Sequence, residues 1–230
     1  MAQTVELTAA DGARIPAYVA RPAGKVKGGI VVVQEIFGVN KHIRAVADGY
    51  AQDGYLAVAP SLFHRVQPGV ELGYEAPDMG AGMGYKQKVD GLPAPGVQQD
   101  LQAAIDCAAK QGGGKVGMVG YCWGGLLTWR AACGLTGLAA AATYYGGGMT
   151  TPEEAARKPK VPVLSHFADR DQYILVPGVE AFRQQHPEVE VHRYADADHG
   201  FNCDLRGAWN PEAAKLARQR TLAFFAKYVG

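Results

Sequence analysis

The segment Gly120-Tyr121-Cys122-Trp123-Gly124 has the residue types and spacing of a site for nucleophilic chemistry. It follows an apolar run typical of a buried strand and precedes a stretch with helical spacing. Glycines two residues before and after the cysteine let a strand and a helix pass closely at a tight turn, which lifts the central side chain above the sheet. The dipole at a helix N-terminus favours a thiolate, so the spacing predicts that Cys122 is a nucleophile.

Two polar side chains that could serve this nucleophile follow later predicted strands. Asp171 and His199 each come just after an apolar run, in the order along the chain that an α/β-hydrolase requires. The carboxyl ends of parallel strands share one sheet edge, so we expect both side chains to meet Cys122 there. Asp169 remains an alternative acid, and Asp171 is preferred because its apolar neighbours would anchor the loop.

Residues 34–38, Gln-Glu-Ile-Phe-Gly, end the first predicted parallel strand and should face the cysteine. We expect the backbone amides of Ile36 and Trp123 to donate hydrogen bonds to an oxyanion. Glu35 follows an apolar strand, where an unpaired carboxylate is costly. It is interpreted either as a surface residue or as a site residue in contact with Cys122 or with a group that orients it.

Strands and helices alternate along the chain in a way that could position these residues. A hairpin signal at Asp11-Gly12 joins two short strands, and apolar runs alternate with helical spacing from residue 29 onward. The predicted strands span residues 5–8, 15–19, 29–34, 56–59, 115–120, 138–145, 161–167 and 189–194, and the helices 42–54, 97–110, 124–133, 177–186 and 211–228. The pattern predicts an α/β fold with a mostly parallel twisted sheet, helices on both faces and an N-terminal antiparallel hairpin. We expect one domain over residues 1–230.

Residues 60–95 interrupt this alternation. The segment has no clear periodicity and is rich in glycine and proline. Long irregular segments within compact domains are typically lids or binding loops, and the alternative is a surface excursion. We predict a lid or binding loop.

The overall composition excludes several classes of protein. The chain has 230 residues with 23 basic and 22 acidic side chains, and this balance is unlike that of a nucleic-acid-binding surface. It has no apolar run of membrane-spanning length and no secretory signal, so we expect a cytoplasmic monomer without a membrane partner. None of the four cysteines has a partner at zinc-like spacing, which predicts no metal site. The histidines other than His199 are expected within strands (His166, His192) or on helix surfaces and loops (His42, His64, His186).

Four segments together resemble a known family: Gln34-Glu35-Ile36-Phe37-Gly38, Gly120-Tyr121-Cys122-Trp123-Gly124-Gly125, Asp171 and Asp198-His199-Gly200-Phe201. They resemble the dienelactone hydrolase (carboxymethylenebutenolidase) family, of α/β-hydrolase fold, and the resemblance spans nearly the whole chain. It implies a hydrolase that needs no cofactor and opens the lactone ester of dienelactones during bacterial breakdown of chlorinated aromatics.

The resemblance also implies roles for individual residues. Cys122 would be the nucleophile, His199 the base and Asp171 its orienting acid, while Glu35 would hold the resting thiol. The side chains expected to contact substrate are Phe37, Tyr145, Lys86 and Phe201.

One departure from the family bears on the substrate. Known members bind the substrate carboxylate with two arginines, one within the segment that corresponds to residues 60–95 and one four residues after the histidine. Here Cys203 occupies the second position, and residues 66–90 contain no arginine. The candidates to replace the arginines are Lys86, Lys88 and Arg206. The sequence predicts hydrolysis of a small lactone or carboxylic ester, and the alternatives are a broader carboxylesterase or a non-catalytic ligand-binding protein of the same fold.

Overall fold

The computed structural model describes residues 2–230 and contains one eight-stranded sheet flanked by helices. In chain order the elements are β1 (Ala2–Thr8), β2 (Arg14–Ala20), β3 (Gly29–Val33), α1 (Lys41–Gln52), β4 (Leu56–Pro60), α2 (Ala76–Asp90), α3 (Gln98–Gly112), β5 (Val116–Tyr121), α4 (Trp123–Gly134), β6 (Leu138–Tyr144), α5 (Pro152–Ala155), β7 (Val163–Ala168), α6 (Val176–Gln185), β8 (Glu190–Tyr194) and α7 (Pro211–Tyr228).

The sheet confirms the predicted fold class. Its strand order is β1-β2-β4-β3-β5-β6-β7-β8, with antiparallel pairing for β1 with β2 and for β2 with β4, and parallel pairing throughout the rest. Every residue of β3, β4, β5 and β7 is buried. Such apolar runs are typical of strands covered on both faces, which is why the sequence predicted them.

Two apolar cores lie on opposite faces of the sheet. Alternate residues of β3 divide between them, with Ile30 and Val32 in one core and Val31 and Val33 in the other. This division follows from the two-residue period of a strand. Helices α1 and α7 contribute to the first core and α3 to the second. Both faces of the sheet are therefore packed against helices. The loops that follow β3, β5, β7 and β8 start from the carboxyl edge of this well-packed sheet.

The prediction that residues 60–95 lack regular structure is wrong for the second half of the segment. Residues 76–90 form α2, whose first turn is closed by a capping box between Glu75 and Asp78. The helix has no apolar stripe, because its buried residues are only Gly82 and Val89. A Cβ at Gly82 would lie 2.3 Å from the carbonyl oxygen of Ile36, so glycine lets α2 pack directly on the 34–38 loop.

None of the helices within residues 2–230 is long and apolar enough to cross a lipid bilayer.

Candidate active site

Cys122 occupies a strained turn between β5 and α4. Its φ of 55° and ψ of −119° are unusual for a residue with a Cβ. A Cβ at Gly120 would lie 2.0 Å from the carbonyl oxygen of Gly124, and one at Gly124 would lie 2.4 Å from that of Gln34. The glycine spacing that the sequence displays is therefore a steric requirement of the turn. Strain at a reactive side chain is typical of functional sites.

Cys122, His199 and Asp171 form a continuous chain of contacts. The Sγ of Cys122 lies 3.1 Å from Nε2 of His199, whose Nδ1 lies 2.7 Å from Oδ2 of Asp171. The other carboxylate oxygen of Asp171 accepts hydrogen bonds from the backbone amides of Tyr173 and Ile174, at 2.8 and 3.1 Å. These bonds fix the carboxylate, which in turn orients the imidazole toward the sulfur.

Asp169, the alternative acid, has a different partner. Both of its carboxylate oxygens accept hydrogen bonds from the guanidinium of Arg193, at 2.8 and 2.9 Å. The structure therefore brings Asp171, and not Asp169, against His199.

The pKa of His199 is raised to about 10. Burial by itself lowers the pKa of this imidazole, but the charge of Cys122 and the hydrogen bonds to Asp171 and Cys122 raise it by more. These contacts favour the doubly protonated ring, whose Nδ1–H faces Asp171 and whose Nε2–H faces the sulfur of Cys122.

The two amides expected to bind an oxyanion border the same cavity as Cys122. Ile36 and Trp123 both line it, and neither backbone N–H has a hydrogen-bond acceptor within residues 2–230. The indole of Trp123 is held from behind, because it stacks on Phe63 at 5.3 Å and its Nε1 donates to Asp90 of α2 at 3.2 Å. Both amides are thus available to a ligand.

Glu35 is completely buried, and its partners differ from the expected one. Oε1 lies 3.4 Å from Nη1 of Arg206, and Oε2 accepts a hydrogen bond from the hydroxyl of Tyr74 at 3.5 Å. No hydrogen bond joins Glu35 to Cys122 in the described chain, where His199 is the partner of the sulfur. The surface interpretation of Glu35 is therefore wrong, and the role of holding the resting thiol has no contact to support it.

A mostly apolar cavity of about 400 Å³ opens above Cys122. Its lining residues are Ile36, Phe37, Met79, Met83, Lys86, Cys122, Trp123, Gly147, Gly148, Tyr173, His199 and Arg206. One lysine and one arginine are among them. The ammonium of Lys86 is paired closely with Asp90, at 2.6 Å, whereas the contact between the Arg206 guanidinium and Glu35 is longer, at 3.4 Å. Arg206 is therefore the cation better placed to meet an anionic ligand.

Residues 15–229 match the model of the dienelactone hydrolase family. The chain belongs to the dienelactone hydrolase family. It is 32% identical over 245 residues to the carboxymethylenebutenolidase of Pseudomonas putida, a match that covers 98% of this chain and 97% of the relative. A Salmonella typhi protein named "Putative carboxymethylenebutenolidase" is 35% identical over 238 residues, covering 96% of this chain and 85% of that protein. The chain is thus a hydrolase similar to carboxymethylenebutenolidase over its full length.

A solved structure of the dienelactone hydrolase family shares this architecture. The crystal structure of "Putative Dienelactone Hydrolase" from Klebsiella pneumoniae subsp. pneumoniae MGH 78578 superposes with a TM-score of 0.84 at 34% identity, and the match covers 99% of each chain. The family and the α/β-hydrolase fold predicted from the sequence are therefore both confirmed.

Two of the four residues expected to contact substrate in this family lie elsewhere. Phe37 and Lys86 line the cavity, but Tyr145 and Phe201 are completely buried behind it. The ring of Tyr145 packs 5.1 Å from the imidazole of His199 and 5.3 Å from Phe201. Both aromatic side chains are buried in the core, where Tyr145 packs against the histidine and Phe201 packs against Tyr145.

Besides Gly147 and Gly148, sequence reasoning missed three larger side chains that line the cavity. Met79 and Met83 lie one turn apart on α2, the helix that was not predicted, and Tyr173 packs its ring 5.2 Å from that of His199. The side chain of Tyr173 is exposed, which suits a residue at the cavity mouth. Its position two residues after Asp171 was the one available signal for it.

Proposed function

We propose that this protein hydrolyses a small lactone or carboxylic ester through an acyl-enzyme on Cys122. The observation that carries the proposal is the chain of contacts from Asp171 through His199 to the sulfur of Cys122, at the floor of a cavity. A thiolate beside an imidazolium is a nucleophile with its proton donor already in place.

Acylation would begin with attack of the Cys122 thiolate on the ester carbonyl carbon. A carbon–sulfur bond forms, and the carbonyl electron pair moves to oxygen, where the amides of Ile36 and Trp123 donate hydrogen bonds. When the intermediate collapses, the ester carbon–oxygen bond breaks and His199 gives its Nε2 proton to the leaving oxygen.

Deacylation would reverse these proton movements. Neutral His199 accepts a proton from water, and the hydroxide formed attacks the thioester carbon. The carbon–sulfur bond then breaks and the carboxylic acid product leaves. Cys122 and His199 return to the thiolate–imidazolium pair, so charge and protons balance over the cycle, while Asp171 keeps the Nδ1 proton in place throughout.

We propose that the preferred substrate carries a carboxylate that binds Arg206. Arg206 lines the cavity, and its side chain is largely buried with Glu35 as its acidic partner. A substrate carboxylate could accept a charge-assisted hydrogen bond from this guanidinium in place of the 3.4 Å contact to Glu35. A dienelactone, which is a small lactone with a carboxylate, meets this description.

Kinetics on three forms of the protein test both parts of the proposal. We expect Cys122→Ala to abolish turnover of dienelactones and neutral aryl esters alike. Removing a hydrogen bond to a charged group costs about 1.5–3 kcal/mol, so Arg206→Gln should lower kcat/KM for cis- and trans-dienelactone by roughly 10- to 100-fold while neutral aryl esters change little. Undiminished turnover by Cys122→Ala would contradict the mechanism.

A broader carboxylesterase is the second candidate, because Phe37, Met79 and Met83 make much of the cavity wall apolar. Under this alternative the unaltered protein would hydrolyse neutral aryl esters as well as dienelactones, and Arg206→Gln would affect both classes equally. A non-catalytic binding protein would show no activity for Cys122→Ala to remove.

A further inference from the structure

Behind the candidate active site, three buried side chains with metal-ligand chemistry converge. Glu35 follows β3, His42 lies in the first turn of α1, and Cys203 lies in the loop between β8 and α7. One ligand atom from each residue lies within 4.8 Å of the other two. The sequence predicted no metal site because Cys203 lies far along the chain from Glu35 and His42. It also placed His42 on a helix surface or loop, whereas this side chain is 5% exposed.

One buried nitrogen of this cluster lacks a hydrogen-bond partner, and the contacts of the neighbouring carboxylate are long. The Nε2 atom of His42 is buried without a hydrogen-bond partner within residues 2–230, and its Nδ1 faces Asp204 at 3.3 Å. The carboxylate of Glu35 has only the two long contacts described above, at 3.4 and 3.5 Å. A buried nitrogen left in this way is costly, so the arrangement indicates a ligand that would satisfy the imidazole.

A carboxylate, an imidazole and a thiolate form a donor set that suits zinc. Bonds of about 2.0–2.3 Å place tetrahedral zinc ligands roughly 3.5 Å apart, so donor atoms within 4.8 Å need to move by about an ångström. Because Nδ1 of His42 faces Asp204, Nε2 is the nitrogen free to bind. A divalent cation on one carboxylate and one thiolate gives a neutral centre, which does not repel the neighbouring Arg206 guanidinium.

We propose that Glu35, His42 and Cys203 form a binding site for a zinc-type divalent cation, separate from the Cys122–His199 pair. Each residue supplies one ligand atom: a carboxylate oxygen, Nε2 and Sγ. The thiol of Cys203 gives up its proton to solvent when the metal binds, as metal thiolates require.

Titration of the chelator-treated full chain with Co²⁺ tests this site directly. We expect one equivalent of Co²⁺ to produce a near-ultraviolet thiolate-to-metal charge-transfer band. Added Zn²⁺ should displace the Co²⁺ and abolish the band. Cys203→Ser should lose the band. His42→Gln should weaken binding at least about tenfold, because changes even outside the ligand set cost 10- to 100-fold. Zn²⁺ should also raise the Tm of the unaltered protein.

Cys122→Ser is the matched control, because it removes the other thiol near the cavity and leaves the proposed ligands in place. The band and the rise in Tm should persist in this variant. Loss of the band in Cys122→Ser together with its persistence in Cys203→Ser would overturn the proposal, because it would place the ion at the candidate active site. The proposal would also be overturned if the unaltered protein showed neither the band nor a zinc-dependent change in Tm. If circular dichroism shows Cys203→Ser to be unfolded, His42→Gln and Glu35→Gln decide the outcome. These readouts are independent of ester hydrolysis, so failure here and failure of the proposed function are distinguishable.

Discussion

At the scale of single residues, the contact between Cys122 and His199 dominates the electrostatics of the site. The imidazole is 9% exposed, and burial opposes its positive charge. The pKa of the ring is nevertheless raised, because the sulfur on one side and the Asp171 carboxylate on the other stabilise the cation. The proposed nucleophile Cys122 and the proposed proton donor His199 therefore titrate as one coupled pair.

The first prediction concerns the proton of His199. Its pKa of about 10 means that the imidazolium persists below that pH and deprotonates above it. In Cys122→Ala the main group that raises the pKa is absent and burial remains, so the pKa should fall well below 10. An NMR titration of the His199 ring resonances in both proteins measures the difference. An unchanged pKa of His199 in Cys122→Ala would contradict the ion pair.

At the scale of elements, α2 is the part of the glycine-rich segment 60–95 that contacts the candidate active site. It supplies Met79, Met83 and Lys86 to the cavity wall, and Asp90 holds the indole of Trp123. Its contact with the 34–38 loop depends on Gly82, which lies against the carbonyl of Ile36. The helix therefore supports both residues whose amides are proposed to bind the oxyanion.

The second prediction compares two glycines of α2. Gly82→Ala would force a Cβ within 2.3 Å of the Ile36 carbonyl oxygen, so we expect a loss of about 1–3 kcal/mol in the free energy of unfolding and a lower kcat for ester hydrolysis. Gly84→Ala lies on the same helix with nothing within 4 Å of the added Cβ and should stabilise by roughly 0.4–1 kcal/mol. Urea unfolding and steady-state kinetics measure both. Equal effects of the two substitutions would argue against the close approach of α2.

At the scale of the whole molecule, Arg65 ties distant parts of the chain together. It lies after β4 and donates to Asp100 of α3 at 2.6–3.0 Å and to Asp11 of the hairpin turn at 2.7 and 3.1 Å. The Asp100 side chain is completely buried, and burial raises its pKa while Arg65 opposes that rise. The hairpin, the segment after β4 and α3 are thus held by one cation.

The third prediction removes that cation. Arg65→Ala would leave the carboxylate of Asp100 buried without its partner, which costs about 3–5 kcal/mol in the free energy of unfolding. The control is Arg193→Ala, which breaks two contacts with Asp169 and Glu180 at the surface and should cost no more than about 1 kcal/mol. Urea denaturation of the unaltered protein and the two variants measures these changes. Similar losses in the free energy of unfolding for both variants would contradict the proposed role of Arg65.

The amino-acid sequence alone predicts the alternation of strands and helices, the turn around Cys122 and the order in which Asp171 and His199 follow it. These features rest on local physics: the period of a buried strand, the spacing of glycines at a tight turn and the end of each parallel strand at one sheet edge. Asn210, which precedes α7, caps this helix by accepting a hydrogen bond from the amide of Ala213, a contact that is equally local.

The remaining features of the site follow from tertiary packing. Helix α2 has no apolar stripe, so no periodicity revealed it, and its cavity-lining methionines remained hidden with it. The pairing of Glu35 with Arg206 joins residues 171 positions apart, and the cluster with His42 and Cys203 draws on three separate segments. Such meetings depend on how the loops at the sheet edge fold over one another. No spacing along the chain encodes them, because they are set by packing in three dimensions.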